Sequence, residues 1–216
     1  MQHIVIAVDG PAASGKSSVS REIARRLGYL YVNTGAMYRA VTWLVLHSEL
    51  DPSDASSVEQ LLANSELECG VRDGASCFRV NGSDPGDALV SAEVTAAVSK
   101  VASQPSVRRR LVSLQRLYAN QQPSVMEGRD IGSAVFPETP HKFYIDASAE
   151  VRAARRAGQG LQDSVTQRDA MDSSRRDSPL TIPEGADVID SSHMNVQEVV
   201  SEILTRLALK GIRPVL

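Results

Sequence analysis

The sequence predicts an α/β fold, a mostly parallel sheet flanked by helices, and three observations carry that prediction. A short apolar run, "IVIAV" (4–8), is followed by a glycine-rich stretch. After that stretch Val19, Ile23 and Leu27 recur every four positions until Gly28. Strand, glycine-rich loop and helix in that order open a parallel α/β architecture. Finally, short apolar runs alternate with helical periods along the rest of the chain, except over 66–90, where turn signals separate strand-like runs in the manner of a small antiparallel insert.

Each element has its own reason. Residues 4–8 are too few for a helix and uniformly apolar, so they read as a strand buried on both faces. Lys16 to Leu27 is a helix with one buried face, ended by Gly28. "YLYV" (29–32) is the second strand; "NTG" turns the chain into a helix through "AMYRAVTWLVLHS", and 58–63 suggest another short helix. In the insert, Asp73-Gly74 predicts a hairpin turn. That register sets Cys69 opposite Phe78 and Cys77 opposite Gly70, with the thiols on opposite faces, so reduced packing cysteines are expected rather than a disulfide or metal site. Residues 91–122 form two helices broken at Pro105, and "SVMEG" (124–128) and "HKFYIDA" (141–147) are the next two strands. "AEVRAARRAGQG" starts as a helix and dissolves at Gly158 and Gly160, and the charged stretch 163–176 is helical. "ADVIDSS" (186–192) is a last strand. A last amphipathic helix, 195–210, turns Val196, Val199, Val200, Ile203, Leu204 and Leu207 inward.

Length and composition narrow the function classes. The 216 residues suit one main domain over 1–216, with core segments 1–65 and 91–216 around the insert. At 42% hydrophobic and 23% charged, the composition is that of a globular protein. No apolar run approaches the ~18 residues of a membrane helix. The N-terminus does not read as a secretory signal, and a cytoplasmic protein is expected. A net charge of −3 argues against nonspecific nucleic-acid binding. Arginine outnumbers lysine 19 to 4, which suits bidentate phosphate recognition but follows equally from codon bias.

The motifs point to phosphate chemistry. "GPAASGKS", Gly10, Pro11, Ala12, Ala13, Ser14, Gly15, Lys16 and Ser17, fits G-x-x-x-x-G-K-[ST] between a buried strand and an amphipathic helix. This is the setting in which a P-loop lets backbone N–H groups and a helix N-terminus receive a triphosphate. Lys16 would reach the β- and γ-phosphates, and the Ser17 hydroxyl would bind Mg²⁺. The fold class is therefore of the P-loop NTPase type. No N-K-x-D guanine reader is present, and the strand before Glu127-Gly128-Arg129-Asp130 does not end as in motor ATPases. An Arg129-Asp130 pair just past a strand end suits a substrate anion and a donor/acceptor reader, or a plain ion pair. In "NTGAMYR", Thr34, Gly35 and Arg39 fit the phosphate of a smaller second substrate, though Arg39 could equally be a solvated helix residue. Arg108 in "VRRRL" can enter a cleft while Arg109 and Arg110 meet water. Arg168 and Arg175, seven positions apart with Asp169 and Asp172 between, would share a helix face, which could also simply be solvated.

Taken together, "GPAASGKSS", "NTGAMYRA", "VSKVASQPSVRRRLVSLQR", "EGRDIGSAVFP" and "RDAMDSSRRDSPL" resemble, in this order, the bacterial cytidylate kinases, from Ile4 to about Ser191. The resemblance implies phosphorylation of CMP and dCMP to the diphosphates, with ATP as donor and Mg²⁺ as cofactor. It also implies that the antiparallel insert is a nucleotide-binding subdomain and that a short lid spans about 155–168. Residue by residue, it assigns Gly10 to Ser18 with Arg155 and Arg175 to ATP, and Ser17 to the metal. Thr34, Arg39 and Arg129 go to the acceptor phosphate, Ser99, Arg108 and Asp130 to cytosine, and Arg168 and Asp172 to the sugar. Lys16, Arg129 and Arg168 are the expected catalytic residues. A carboxylate at Asp130 accepts from cytosine N4, where uracil offers an acceptor. The chain departs from the family pattern at Asn33, where an aspartate is usual, and in the short segment from Arg156 to Arg168. A monomer is the default. The other readings are a kinase acting on UMP or another small acceptor, and a nucleotide-binding switch without turnover. A switch has no need for the second set of arginines.

Overall fold

The computed structural model describes residues 3–158, 165–175 and 177–215, the side chains of 165–168 excepted. The expected Gly160 breakpoint and the middle of the expected lid lie outside the described residues.

The chain runs β1 (Val5–Asp9), α1 (Lys16–Leu27), β2 (Leu30–Asn33), α2 (Thr34–His47), α3 (Ala55–Ala63), β3 (Leu67–Arg72), β4 (Ala75–Val80), α4 (Ala92–Ala102) and α5 (Pro105–Gln121). It continues with β5 (Ser124–Gly128), β6 (Lys142–Asp146), α6 (Ala149–Gly158), α7 (Val165–Ser173), β7 (Asp187–Asp190) and α8 (Val196–Leu209). A 3₁₀ turn covers Gly86–Val90, and a π turn covers Ile131–Val135.

The strands form one seven-stranded sheet in the order β3-β4-β2-β5-β1-β6-β7. Every pairing is parallel except the β3–β4 hairpin. Alternation along β1 explains the core: Val5 and Ala7 join the cluster under α2, α4 and α5, while Ile6 and Val8 join the one under α1 and α8. A strand covered on both faces has to be apolar throughout, which is why "IVIAV" carries no polar beat. In α8, Val199, Val200, Ile203, Leu204 and Leu207 are buried, but Val196 in the first turn is exposed. At that turn the helix meets a cleft rather than the core.

Local chemistry sets the element ends. Gly28 closes α1 in the left-handed region at φ +66. Asp54 accepts from the Ser56 and Ser57 N–H groups and so starts α3 ahead of its first buried residue, Val58. Asp73 and Gly74 both have positive φ, 51 and 73, as a two-residue hairpin turn of this hand requires. The hairpin register sets Cys69 against Phe78 and Gly70 against Cys77, and both thiols are free. The hairpin prolongs the edge of the main sheet, held to β2 by the pair Tyr31↔Ala75, with the Tyr31 N–H donating to the Gly74 carbonyl at 3.0 Å and the Asn33 N–H to the Ser76 hydroxyl at 3.2 Å. On α2, Trp43 stacks on His47 with ring centroids 5.0 Å apart and planes 10° from parallel.

Candidate active site

The C-terminal ends of β1, β2 and β5 converge at one rim of the sheet, where ligands of open α/β folds bind. The P-loop leaves β1 there. Gly10 sits at φ +151, and a Cβ on it would lie 2.1 Å from the Ile145 carbonyl oxygen, so only glycine fits against β6. Gly15 at φ +90 turns the chain into α1. The Lys16 ammonium donates to the Pro11 carbonyl at 2.9 Å, spanning its own loop. The Ser14 hydroxyl is buried in the cradle without a hydrogen-bond partner among the described residues. An orphaned donor between two glycines forced open by backbone geometry fits an anion.

Just before the loop, Asp9 is fully buried, and its carboxylate accepts from the Ile131 N–H at 2.8 Å and the Gly132 N–H at 2.7 Å. Burial pushes the Asp9 carboxyl up to about 7; the two N–H groups and the Lys16 charge oppose that shift. Asp9 thereby fastens the π turn that follows Arg129 and Asp130. The π turn itself breaks the α-helical ladder, with both Ala134 and Val135 N–H groups on the Asp130 carbonyl.

Glu127, at the end of β5, is buried and collects two hydroxyls: Ser17 donates to it at 2.7 Å, and Tyr31 donates to its other oxygen. Burial, and then the Glu127 charge, raises the Tyr31 phenol above its ordinary range, while Arg21 lies 4.6 Å over the Tyr31 ring. Thr34 donates to the Glu127 carbonyl at 2.7 Å. Gly128 has no room for a side chain, since a Cβ would come within 2.8 Å of the Thr34 hydroxyl oxygen. Asn33 caps α2, its amide oxygen accepting from the Ala36 N–H at 3.0 Å, a task asparagine and aspartate share.

The other half of the site is made of paired charges. Arg108 and Asp130 form a buried ion pair, and Arg108 also lies 5.5 Å over the Tyr38 ring. Burial raises the Asp130 carboxyl, and the guanidinium of Arg108 opposes it. Arg109 and Arg110 are exposed, as the spacing predicted. Asp172 gathers Arg129 at 2.9 Å, Arg175, and the Ser99 hydroxyl at 3.4 Å. Arg39 donates to the Leu89 carbonyl at 2.8 Å and the Thr95 hydroxyl at 3.0 Å.

Arg175, expected near ATP, instead lies with this second group, on Asp172. Its place differs from the shared helix face because α7 ends at Ser173, where two successive serines compete for backbone groups and Ser174 bonds back to the Met171 carbonyl at 3.2 Å. The Arg168 side chain lies outside the described residues. Arg155 donates to the Ser191 hydroxyl at 3.1 Å and the Ser191 carbonyl at 2.7 Å, and the Ser191 hydroxyl in turn donates to the Ser14 carbonyl at 2.9 Å, so Arg155 does stand beside the P-loop.

Two clefts meet at Lys16 and Ser17. One, of ≈ 650 Å³, runs from Gly15 and Ser18 past Arg155 to Ser191, Asn195 and Val196. The other, of ≈ 400 Å³, runs from Asn33 and Glu127 to Arg39 and Arg129. A small recess of ≈ 70 Å³ leads on to Ser99, Asp172 and Arg175. Two volumes sharing one lysine and one serine are the geometry for moving a group between two bound molecules. Among the described residues, no group of three or more His, Cys, Asp or Glu could hold a metal ion, and no helix is long and apolar enough to cross a membrane.

Sequence reasoning did not single out Asp9, Tyr31, Glu127, Thr95, Arg152 or Ser191. Arg152 is the buried member of an arginine-rich helix, donating to the Ala12 carbonyl at 3.3 Å and paired with Asp169. Its signal was available in "AEVRAARR", where only one arginine falls on the inward face.

The model of the cytidylate kinase family matches residues 6–208. The cytidylate kinase of Oceanobacillus iheyensis is 39% identical over 217 residues, covering 95% of this chain and 94% of the relative. A bifunctional pantoate ligase/cytidylate kinase of Prochlorococcus marinus is 42% identical over 213 residues, covering 93% of this chain and 42% of its own length. In fold, the chain overlays an uncharacterized protein from Eubacterium ventriosum with a TM-score of 0.52 at 12% identity, covering 95% of this chain and 99% of that one. With a P-loop at the rim of the sheet and this match over nearly its whole length, the chain belongs to the cytidylate kinase family.

Proposed function

We propose that the protein transfers the γ-phosphoryl group of ATP to CMP and dCMP, giving CDP and dCDP, as one kinase domain over 1–216. The observation that carries this reading is the buried Arg108–Asp130 pair at the end of β5, beside the rim that the P-loop shares. A carboxylate has about four lone-pair sites, so Asp130, held by Arg108 and by a Ser178 hydrogen bond, keeps capacity to accept from an amine, and cytosine N4 is such a donor. Uracil turns an acceptor toward the same oxygen and is repelled.

The larger cleft takes ATP, with Gly10 to Ser18 around the phosphates and Arg155 at its far wall. Lys16 leaves the Pro11 carbonyl for the β- and γ-phosphates. The Ser17 hydroxyl holds Mg²⁺ together with phosphates and waters; the ion supplies charge that neutralises the triphosphate. On the acceptor side, Thr34, Arg39 and Arg129 hold the CMP phosphate, Ser99, Arg108 and Asp130 read the base, and Asp172 with Arg168 takes the sugar. Arg175 joins this group: its Nε is buried without a partner among the described residues, which suits a polar ligand more than an apolar one. Phosphoryl transfer through a loose transition state asks little beyond alignment and charge, and converging arginines provide both. The Gly86–Val90 turn at the end of the insert lines the acceptor-side cleft, and exclusion of water from the site keeps it from competing with the acceptor. The protein works as a cytoplasmic monomer, with no nucleic-acid or membrane partner.

A coupled ADP-release assay with CMP, dCMP, UMP, AMP and water as acceptors tests the reading. Turnover with CMP and dCMP is expected to exceed that with UMP and AMP by orders of magnitude. Turnover with UMP and none with CMP would overturn it.

A further inference from the structure

Two clefts have to be filled together before a phosphoryl group can pass between them, and one buried carboxylate stands where they meet the sheet. Asp9 is the last residue of β1, in register with Gly128 on β5 and with Tyr144 on β6. The next residue is Gly10, where the P-loop starts against the Ile145 carbonyl. Across the strand end, one Asp9 oxygen accepts from the Ile131 N–H at 2.8 Å and the other from the Gly132 N–H at 2.7 Å. Those two amides open the π turn, directly after Arg129 and Asp130. The far end of the turn is held by other groups: Arg116 donates to the Val135 carbonyl at 3.1 Å, and Lys142 to the Pro137 carbonyl at 2.6 Å. There is little slack between, since a Cβ on Gly132 would come within 3.2 Å of the Lys142 side chain. The near end, which carries the Arg129 and Asp130 side chains, is thus tied to the P-loop through Asp9.

We propose that Asp9 couples the two clefts, so that filling the P-loop tightens the Arg129–Asp130 turn and with it the grip on the acceptor. In this structure the Lys16 ammonium is turned back on the Pro11 carbonyl, and the Ser14 hydroxyl has no hydrogen-bond partner among the described residues. A triphosphate takes both groups and fixes the loop. A protein ordered by one ligand leaves less ordering for the next to bring about, which is positive coupling without any change of shape. Asp9 passes that order on because its backbone leads into the loop and its side chain holds the turn. Two charge-assisted bonds, one on each oxygen, keep the carboxylate from turning away. Asp9 touches neither nucleotide and is a positioning residue for both. The link from loop to turn rests on the proposed ATP site; its last step, the effect on CMP, rests also on the proposed acceptor.

Hydrogen–deuterium exchange read by mass spectrometry follows residues 130–135 and, as a control, the β3–β4 hairpin. The measurement is made at about pH 8, where a carboxyl pushed up to about 7 is mostly ionised. With Mg²⁺ and the non-hydrolysable analogue adenylyl imidodiphosphate alone, exchange over 130–135 is expected to slow about 5- to 10-fold in the wild type and hardly at all in Asp9→Asn. The asparagine amide oxygen can still accept one N–H, but its NH₂ meets the other. Calorimetry then gives CMP affinity with and without the analogue. A gain of about 5- to 10-fold is expected in the wild type, and one within about twofold of none in Asp9→Asn. Wild-type exchange over 130–135 that ignores the analogue overturns the coupling, whether or not Asp9→Asn folds. Equal slowing over the hairpin overturns it too, because a ligand that merely stabilises the whole fold does that. An Asp9→Asn protein that keeps the full wild-type response removes Asp9 as the joint. A wild type whose turn responds to the analogue while CMP fails to bind would defeat the functional reading and leave the joint standing.

Discussion

The two halves of the site are built from different material. In the half proposed for the donor, ATP, the groups that face the cleft are mainly backbone: a loop between β1 and α1, shaped by Gly10 pressed against the Ile145 carbonyl and by Gly15 at the start of the helix. On the acceptor side they are charged side chains that satisfy one another, Arg108 with Asp130, and Asp172 with Arg129 and Arg175. Backbone amides are fixed by the sheet and cost nothing to hold ready. Buried ion pairs carry a desolvation penalty and are stable only as pairs. A mutation in one half should therefore cost rate, and in the other half stability.

The largest effect tests the second part of that contrast. Asp130→Ala leaves the buried Arg108 guanidinium without its partner and is expected to lower unfolding free energy by about 3–5 kcal/mol in urea titrations. The same variant should lose preference for CMP over UMP. A stability loss below about 1 kcal/mol would show that the acceptor half is not held by its charges. Next comes Lys16→Ala, expected to reduce kcat by about 10²- to 10³-fold, as loss of one transition-state charge contact does, while the melting temperature stays close to wild type. A collapse of the fold instead would erase the distinction between the halves.

An effect that shows only as pH is varied concerns Asp9, which joins them. Its folded-state value near 7 lies above the ordinary 3.8, so the folded chain holds this proton more tightly than the unfolded one. The group costs nothing below its ordinary value, costs progressively more as pH rises toward 7, and stays constant above that. The stability advantage of wild type over Asp9→Asn should accordingly shrink between about pH 4 and pH 7, at up to about 1.4 kcal/mol per pH unit. A difference independent of pH would mean that Asp9 does not titrate in that window.

The same division decides what could be read from the sequence. The donor half is local. Eight consecutive residues between a uniformly apolar strand and a helix of period four state the P-loop, and each of those signals is short-range. Strand β1 was legible because burial on both faces removes every polar beat but the one at its end, Asp9, whereas β5 keeps Ser124 at its start as well as Glu127 near its end. The acceptor half is assembled from residues far apart in the chain, and only its likeness to known kinases brought Ser99, Arg108, Asp130 and Asp172 together. Asp9 and Glu127 escaped both routes. Asp9 looks like the last residue of a strand, and its partners are backbone N–H groups of a π turn that no side-chain pattern announces. Glu127 looked like the end of a motif, since its meaning depends on Tyr31 and Ser17 arriving from two other elements. The hairpin turn was plain in Asp73-Gly74, but its attachment to the main sheet runs through one strand pair, Tyr31↔Ala75, with the Asn33–Ser76 bond beside it, too little to leave a mark in the sequence.

Trp43 is the only tryptophan in the chain. It stands on α2, the helix that begins at Thr34 and carries Arg39 toward the acceptor side, and it is stacked on His47. All tryptophan emission from this protein thus originates on the helix that carries Arg39, next to the imidazole ring of His47. The molecule carries its own optical reporter on the side proposed for CMP and no tryptophan on the side proposed for ATP, so a fluorescence titration with each nucleotide separately reads the CMP half without any label.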